Sequence, residues 1–385
     1  MKVFIGGLIL IGVIMSGCAE FGTNPSKEVK KTFHSSKQYN KEKNEFQNRR
    51  ARIFEEMKKR GIGFSTIWNM ISKQNERKPK EKMPEISPDL SKFMALSDEL
   101  KIIWFGHSSF VLNIEGKVVL VDPVFSGTAS PFSWIVKRFQ KPVLSLKQLP
   151  KVDYIVISHD HYDHLDMKTV EFFKDKETKF FTPLGVGSHL EGWGIKKENI
   201  IEKDWWESEI VDGIEFVATP AQHFSGRNGI NANETLWASW VIRSQNHNVY
   251  FSGDTGYDSH FKDIGEKYGP FDIAFLESGQ YNEKWKEVHM LPEEAIMAFK
   301  DLKARKYFPV HWGMFILSLH HWSEPVEKLT KLSEKHDVDL VTPKLGQIVN
   351  LKSDTKFERW WEKVVDQSIG ENSLQAQSHV SITKF

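Results

Sequence analysis

The stretch YIVISHDHYDHLD, residues 154–166, places three histidines and three aspartates within eight positions. Histidine is otherwise sparse, with 15 in 385 residues. Neutral imidazole is a borderline ligand suited to zinc and iron, and carboxylate is a harder one. In an extended loop, His159 and His161 are one residue apart and can project to the same side to hold one metal ion. Asp163 and His164 can serve a second ion nearby. A lone His-x-His would say little, but His-x-His-x-Asp-His after an apolar run is specific. Two ions need more ligands than one loop supplies. Three candidates follow apolar runs further on: His223 in EFVATPAQHFSGR, Asp254 in NVYFSGDTGY and His311 in KYFPVHWG. Asp160 and Asp166 are expected to support the ligands from behind or to cap a helix.

These residues need strands to hold them. From about residue 99, short β-rich runs recur: KIIWFG, SFVLNI, KVVLVD, YIVISH, KFFTPL, EFVATP, WASWVIR, NVYFSGD, DIAFLE, KYFPVHW, DLVTPK and QIVNL. Helical patterns lie at about 166–175, 293–304 and 323–336. Pro292 followed by Glu293 and Glu294 is a good helix start. Strands interrupted by a few helices predict a mixed α/β domain. The candidate ligands fall just past strand ends, where a loop holds side chains firmly and leaves them accessible.

At this point the chain resembles the metallo-β-lactamase fold superfamily, whose HxHxDH motif is matched by His159, His161, Asp163 and His164. More narrowly, GHSSFVLNIEGKVVLVDPVF, ISHDHYDHLD, TPAQHFSGR, SGDTGY, ESGQYNEKWKEVHMLPEEA and PVHWGMF resemble the N-acylphosphatidylethanolamine-hydrolysing phospholipase D branch. The resemblance spans about residues 60–350. It implies an αββα sandwich with a dimetal site at the edge of the two sheets. It also implies two divalent ions, zinc by ligand type. One would be held by His159, His161, His223 and Asp254, the other by Asp163, His164, Asp254 and His311. The implied activity is a metal-dependent phosphodiesterase of phospholipase D type, working on N-acylphosphatidylethanolamine-like or related phospholipids through a dimetal-bridged hydroxide. Asp163 would also accept a hydrogen bond from that hydroxide. His289 would contact the substrate phosphate or assist the leaving oxygen. A lactonase or another metal-dependent hydrolase on the same fold is the alternative. His107, His320 and His321 receive no catalytic role: His107 reads as packing or ligand support, the other two as pocket rim. Asp122 reads as a turn residue.

Composition sets outer bounds. The net charge of +1 gives no reason to expect a nucleic-acid partner. Thirteen tryptophans, some in pairs (Trp205–Trp206, Trp360–Trp361), suit core or rim packing, with a lipid-facing surface as the other reading. The single cysteine, Cys18, excludes an intramolecular disulfide. MKVFIGGLILIGVIMSGC reads as a signal peptide, its apolar run being shorter than the roughly 20 residues a membrane span needs. Met15-Ser16-Gly17-Cys18 resembles the lipobox of bacterial lipoproteins, which implies lipidation of Cys18 and a lipid-anchored place in the bacterial cell envelope, at the outer membrane in a Gram-negative cell. The expected organisation is a signal peptide (1–17), a basic tether and helix (18–60), the hydrolase domain (61–366) and a polar tail (367–385). Residues 24–60 carry 12 Lys/Arg against 5 Asp/Glu, and Lys41–Lys59 has a helical pattern. Such a segment is a solvated linker or a contact for anionic lipid, where each basic residue adds about 1 kcal/mol.

Overall fold

Alternation along the strands sorts the core into layers, since neighbouring side chains in a strand point to opposite faces. Ile102 and Trp104 point one way and Ile103 the other. In the computed structural model the described residues are 19–365, without 62–65, 67, 70–71, 74–76, 230–231 and 354. The expected signal peptide (1–17), Cys18 and the expected tail over 367–385 lie outside the described residues.

A short hairpin, β1 (Tyr39–Asn40) and β2 (Glu45–Phe46), precedes two seven-stranded sheets. The first sheet runs β3 (Lys101–Trp104), β4 (Phe110–Ile114), β5 (Lys117–Val121), β6 (Tyr154–Val156), β7 (Lys179–Pro183) and β8 (Ile200–Lys203) in spatial order. The second runs β9 (Ser208–Val211), β10 (Ile214–Thr219), β11 (Ser239–Arg243), β12 (Asn248–Phe251), β13 (Ile273–Glu277), β14 (Lys306–Val310) and β15 (Asp339–Leu340). The chain then returns to the first sheet, where β16 (Ile348–Asn350) pairs antiparallel with β3. Each sheet is antiparallel at the start and parallel from its fourth strand on, β5 to β8 and β12 to β15.

The inner faces meet in one apolar layer. Phe110 stacks on Phe275 with ring centroids 4.0 Å apart, and Phe181 on Phe216 at 3.9 Å. The outer face of the first sheet packs on α4 (Met167–Phe173) and α5 (Gly187–Gly192) through Val170, Phe173 and Leu190. That of the second packs on α6 (His260–Lys267), α7 (Pro292–Asp301) and α8 (Glu324–His336) through Phe261, Ile296, Phe299 and Leu329. The result is the αββα sandwich. Both tryptophan pairs serve packing: Trp360 stacks on Trp312 at 5.5 Å and on Trp322 at 6.2 Å, and Trp205 is buried.

Phe110 sits where the two sheets meet and has no exposed surface. Phe110→Ala should therefore cost about 3–5 kcal/mol, the range for emptying a buried aromatic site. Denaturant unfolding with the slope unchanged is the measurement, and a loss under about 1 kcal/mol would contradict this packing.

The N-terminal segment departs from the expected tether. The helix expected over Lys41–Lys59 is confined to α2 (Ile53–Lys59), because Tyr39–Phe46 forms the hairpin instead. α1 (Lys27–Thr32) precedes it, capped by Ser26, which accepts from the Val29 amide. Phe33, Tyr39 and Phe46 join the core between the sheets, and Ile53 packs on Trp285 and Val288. Most of the basic residues face outward and a widely spaced apolar set faces in. α3 (Leu90–Met94) leads into the first sheet, capped by Asp89, whose side chain accepts from the Ser91 and Lys92 amides. Among the described residues, no helix is long and apolar enough to cross a membrane.

Candidate metal centre

The C-terminal ends of the strands deliver the polar residues to one edge. β6 ends at Val156, and the loop behind it carries His159, His161, Asp163 and His164 before Asp166 caps α4. The loops after β10, β12 and β14 carry His223, Asp254 and His311. Gly256, in the turn after Asp254, lies against the Glu287 carbonyl, which an added Cβ would meet at 2.0 Å. Only glycine lets the two loops approach this closely.

Seven residues singled out in the sequence are brought together in two groups. His159, His161, His223 and Asp254 form one, and Asp163, His164 and His311 form the other with His107. Within each group the potential ligand atoms lie within 4.8 Å of one another. Asp254 faces both: its Oδ2 is 3.1 Å from His164 Nε2, 3.7 Å from His223 Nε2 and 3.8 Å from His159 Nε2, while its Oδ1 is 3.0 Å from His311 Nδ1. The centre is buried except at a mouth, where His161 is half-buried and the side chains of Asp163 and His289 are 11% and 14% exposed.

The donor set fits divalent ions. His161 Nδ1 lies 2.8 Å from His159 Nε2 and 3.2 Å from His223 Nε2, three ring nitrogens converging on one space. Burial holds His159, His223 and His311 well below the usual imidazole range and brings His161 down to about 4, so their lone pairs are free at neutral pH. His164 Nε2 and Asp254 Oδ1 are buried without an aligned hydrogen bond, despite the short approaches between them and their neighbours. Burial opposes the His164 imidazolium, yet Asp254, Asp163 and Asp122 together lift it well above the ordinary range. Carboxylates crowded this way require positive charge, which a proton supplies in the metal-free chain and a metal ion supplies when bound.

The support behind the ligands sharpens two readings. Asp122 does shape a turn, with φ of 36°, but its carboxylate also accepts from the Ser158 amide at 2.7 Å, from Ser158 Oγ at 2.6 Å and from His164 Nδ1 at 2.6 Å. It fixes the tautomer that turns His164 Nε2 to the centre. His107, read from the sequence as packing or ligand support, bonds through Nε2 to Asp163 Oδ2 at 2.8 Å. Its backbone and that of His311 both have positive φ and brace each other: His107 N donates to Trp312 O, and His311 N donates to His107 O. Such backbone strain persists only where its surroundings over-determine it.

His223 Nδ1 bonds to Val288 O at 3.1 Å. His289 enters the same space, 5.1 Å from the His223 ring and 5.2 Å from that of His311, with Nδ1 3.1 Å from Glu277 Oε2. Glu277 is fully buried at the end of β13 and also accepts from the Met290 amide at 2.6 Å. Sequence reasoning missed it, though an acid closing the apolar run DIAFLE occupies the same kind of place as Asp254. Asp160 accepts from the Gly226 amide and Thr235 Oγ1, and Asp166 from the amides of Phe125 and Ser126. His320 and His321 belong to neither group; His320 stacks on Tyr281.

A family model described as a beta-lactamase superfamily domain matches residues 117–312. An uncharacterised protein of Mycobacterium tuberculosis is 42% identical over 300 residues, covering 77% of this chain and 80% of its own. A protein of Caenorhabditis elegans named N-acyl-phosphatidylethanolamine-hydrolyzing phospholipase D 1 is 36% identical over 264 residues, 64% of this chain and 74% of its own. Among solved structures, Igni18, described as a metallo hydrolase from Ignicoccus hospitalis, superposes with a TM-score of 0.51 at 24% identity, covering 68% of this chain and all of its own. The paired sheets, the buried histidine and aspartate groups at their shared edge and these relatives agree: the chain belongs to the metallo-β-lactamase superfamily, as a metal-dependent hydrolase.

Proposed function

We propose that the protein is a phosphodiesterase of phospholipase D type acting on N-acylphosphatidylethanolamine-like or related phospholipids. The carrying observation is the pair of ligand groups meeting at Asp254, as a two-ion hydrolase requires. The relative from Caenorhabditis elegans supports the substrate class by its name. In this reading His159, His161, His223 and Asp254 hold one ion and Asp163, His164, Asp254 and His311 the other, with zinc suited to the imidazole-rich set. When bound, such a pair acidifies a water and draws charge from a phosphoryl oxygen.

The chain's own residues organise the rest. Asp122 and Val288 O take the Nδ1 protons of His164 and His223, which turns the Nε2 lone pairs inward. His107 occupies Asp163 Oδ2, leaving Oδ1 to accept the proton of the attacking water. Water oxygen bonds to phosphorus as the phosphorus–oxygen bond to the alcohol breaks, and the proton accepted by Asp163 passes to the leaving oxygen, which departs as the alcohol. His289, anchored by Glu277, keeps Nε2 for the phosphate or the leaving oxygen. Cys18 is proposed to carry lipid and to hold the protein at the membrane of a bacterial envelope, a reading supported by the residues Met15-Ser16-Gly17-Cys18.

The zinc-loaded protein should release phosphatidic acid from vesicles containing N-acylphosphatidylethanolamine, and His161→Ala should abolish this. Protein that is inert on every diester lipid yet opens lactones would overturn the reading in favour of a lactonase.

A further inference from the structure

Residues 19–60 lie outside the part of the chain matched by the family model, yet they reach the metal-binding groups at three points. The most direct is Asn48. Its Nδ2 donates to His223 O at 2.7 Å, and its Oδ1 accepts from His223 N at 3.0 Å. His223 stands in the loop after β10, where no strand pairs with its backbone, and it is 1% exposed. One side chain thus satisfies both of its buried main-chain groups, which would otherwise be costly to leave unpaired.

The second point lies beside it. Phe54 meets Phe224 edge-on at 5.9 Å, and the Phe224 ring lies 4.6 Å from both His161 and His223. Arg60 pairs with Glu287, next to the Val288 carbonyl that holds His223 Nδ1. The third point is where the described chain begins. Ala19 O accepts from Trp193 Nε1 at 2.9 Å, and Glu20 O accepts from Arg227 Nε and Nη2 at 3.0 and 2.8 Å. Arg227 Nη1 donates to Asp160 O and Leu165 O, the carbonyls that bracket His161, Asp163 and His164. Gly22, at φ of 73°, lies so close to His189 that an added Cβ would meet its ring nitrogen at 2.3 Å.

We propose that residues 19–60 are a clamp that sets the affinity of the ion held by His159, His161, His223 and Asp254, with Asn48 as the positioning residue for His223. The inference rests on the two-ion reading of the centre. Metal binding demands ligands placed to within about 0.5 Å, and the clasp on His223 is the point where the segment controls such a placement. Loss of an outer hydrogen-bond partner of a ligand commonly costs 10–100-fold in metal affinity.

The test is zinc competition against a chromophoric chelator, using the full mature chain. In Asn48→Ala, one of two zinc equivalents should bind about 10–100-fold more weakly, with the other within about twofold of wild type. Asn48→Asp keeps the volume and the acceptor but sets an oxygen against the His223 carbonyl; it should show the same one-site loss and serves if the alanine variant does not fold. Lys151→Ala, which breaks an exposed pair with Glu177 outside the segment, should leave both equivalents unchanged. Wild-type affinity at both sites in the Asn48 variants, or parallel weakening in the Lys151 variant, would overturn the clamp alone. A wild-type chain that binds no zinc would overturn the two-ion reading and the clamp with it.

Discussion

Asp254→Ala is expected to strip both zinc equivalents and to lower kcat/KM on a phosphodiester by about 10³-fold or more, some 4 kcal/mol of transition-state stabilisation. The reason is position. Asp254 is 4% exposed and faces four imidazoles drawn from both ligand groups, at 3.0 to 3.8 Å. In the two-ion reading each of the other ligands serves one ion; Asp254 serves both. His161→Ala, by contrast, should weaken one equivalent and leave the other. The fold should survive the Asp254 change. Burial already pushes this carboxyl up to about 6 against the pull of His164, so at neutral pH its ionised form is held at a cost that the change removes. Zinc per chain, measured with the rate on a chromogenic diester, decides the matter. An Asp254→Ala protein that keeps two zinc ions and works within tenfold of wild type would rule out a shared carboxylate.

What the sequence made legible follows from how local each signal is. Twelve β-rich runs each meet a strand, because alternation is written within five or six residues. The histidine–aspartate motif is equally local, and the remote ligands share its grammar of a polar residue just past an apolar run. β8 and β9 escaped notice because their residues are half-buried or exposed and do not read as core. Asp122 was legible as a turn and illegible as a ligand support, since its partners Ser158 and His164 stand 36 and 42 residues away. Glu277 could have been found by the same rule as Asp254. The N-terminal segment misled for a different reason. Its 12 basic residues dominate the composition, while Phe33, Tyr39, Phe46 and Ile53 are too widely spaced to give a period. Their burial belongs to the tertiary fold alone.

Asp122 carries the second large effect, and its two substitutions should separate stability from metal binding. The side chain has no exposure and holds three donors. Asp122→Ala leaves the buried Ser158 amide without a partner and His164 Nδ1 with only Ser158 Oγ, at 3.5 Å, at a cost of about 3–5 kcal/mol, as when one member of a buried pair is removed. Asp122→Asn fills the same volume and can still accept from the Ser158 amide. Its NH₂ then faces His164 Nδ1 and forces that nitrogen to accept. The ring proton moves to Nε2, 3.1 Å from Asp254 Oδ2 and 3.3 Å from Asp163 Oδ2, where the metal-binding lone pair should be. Asp122→Asn should therefore be the more stable of the two in urea yet lose about 10–100-fold in affinity for one zinc equivalent, the one assigned to Asp163, His164, Asp254 and His311. Full affinity for both ions in Asp122→Asn would mean that the His164 tautomer does not depend on Asp122.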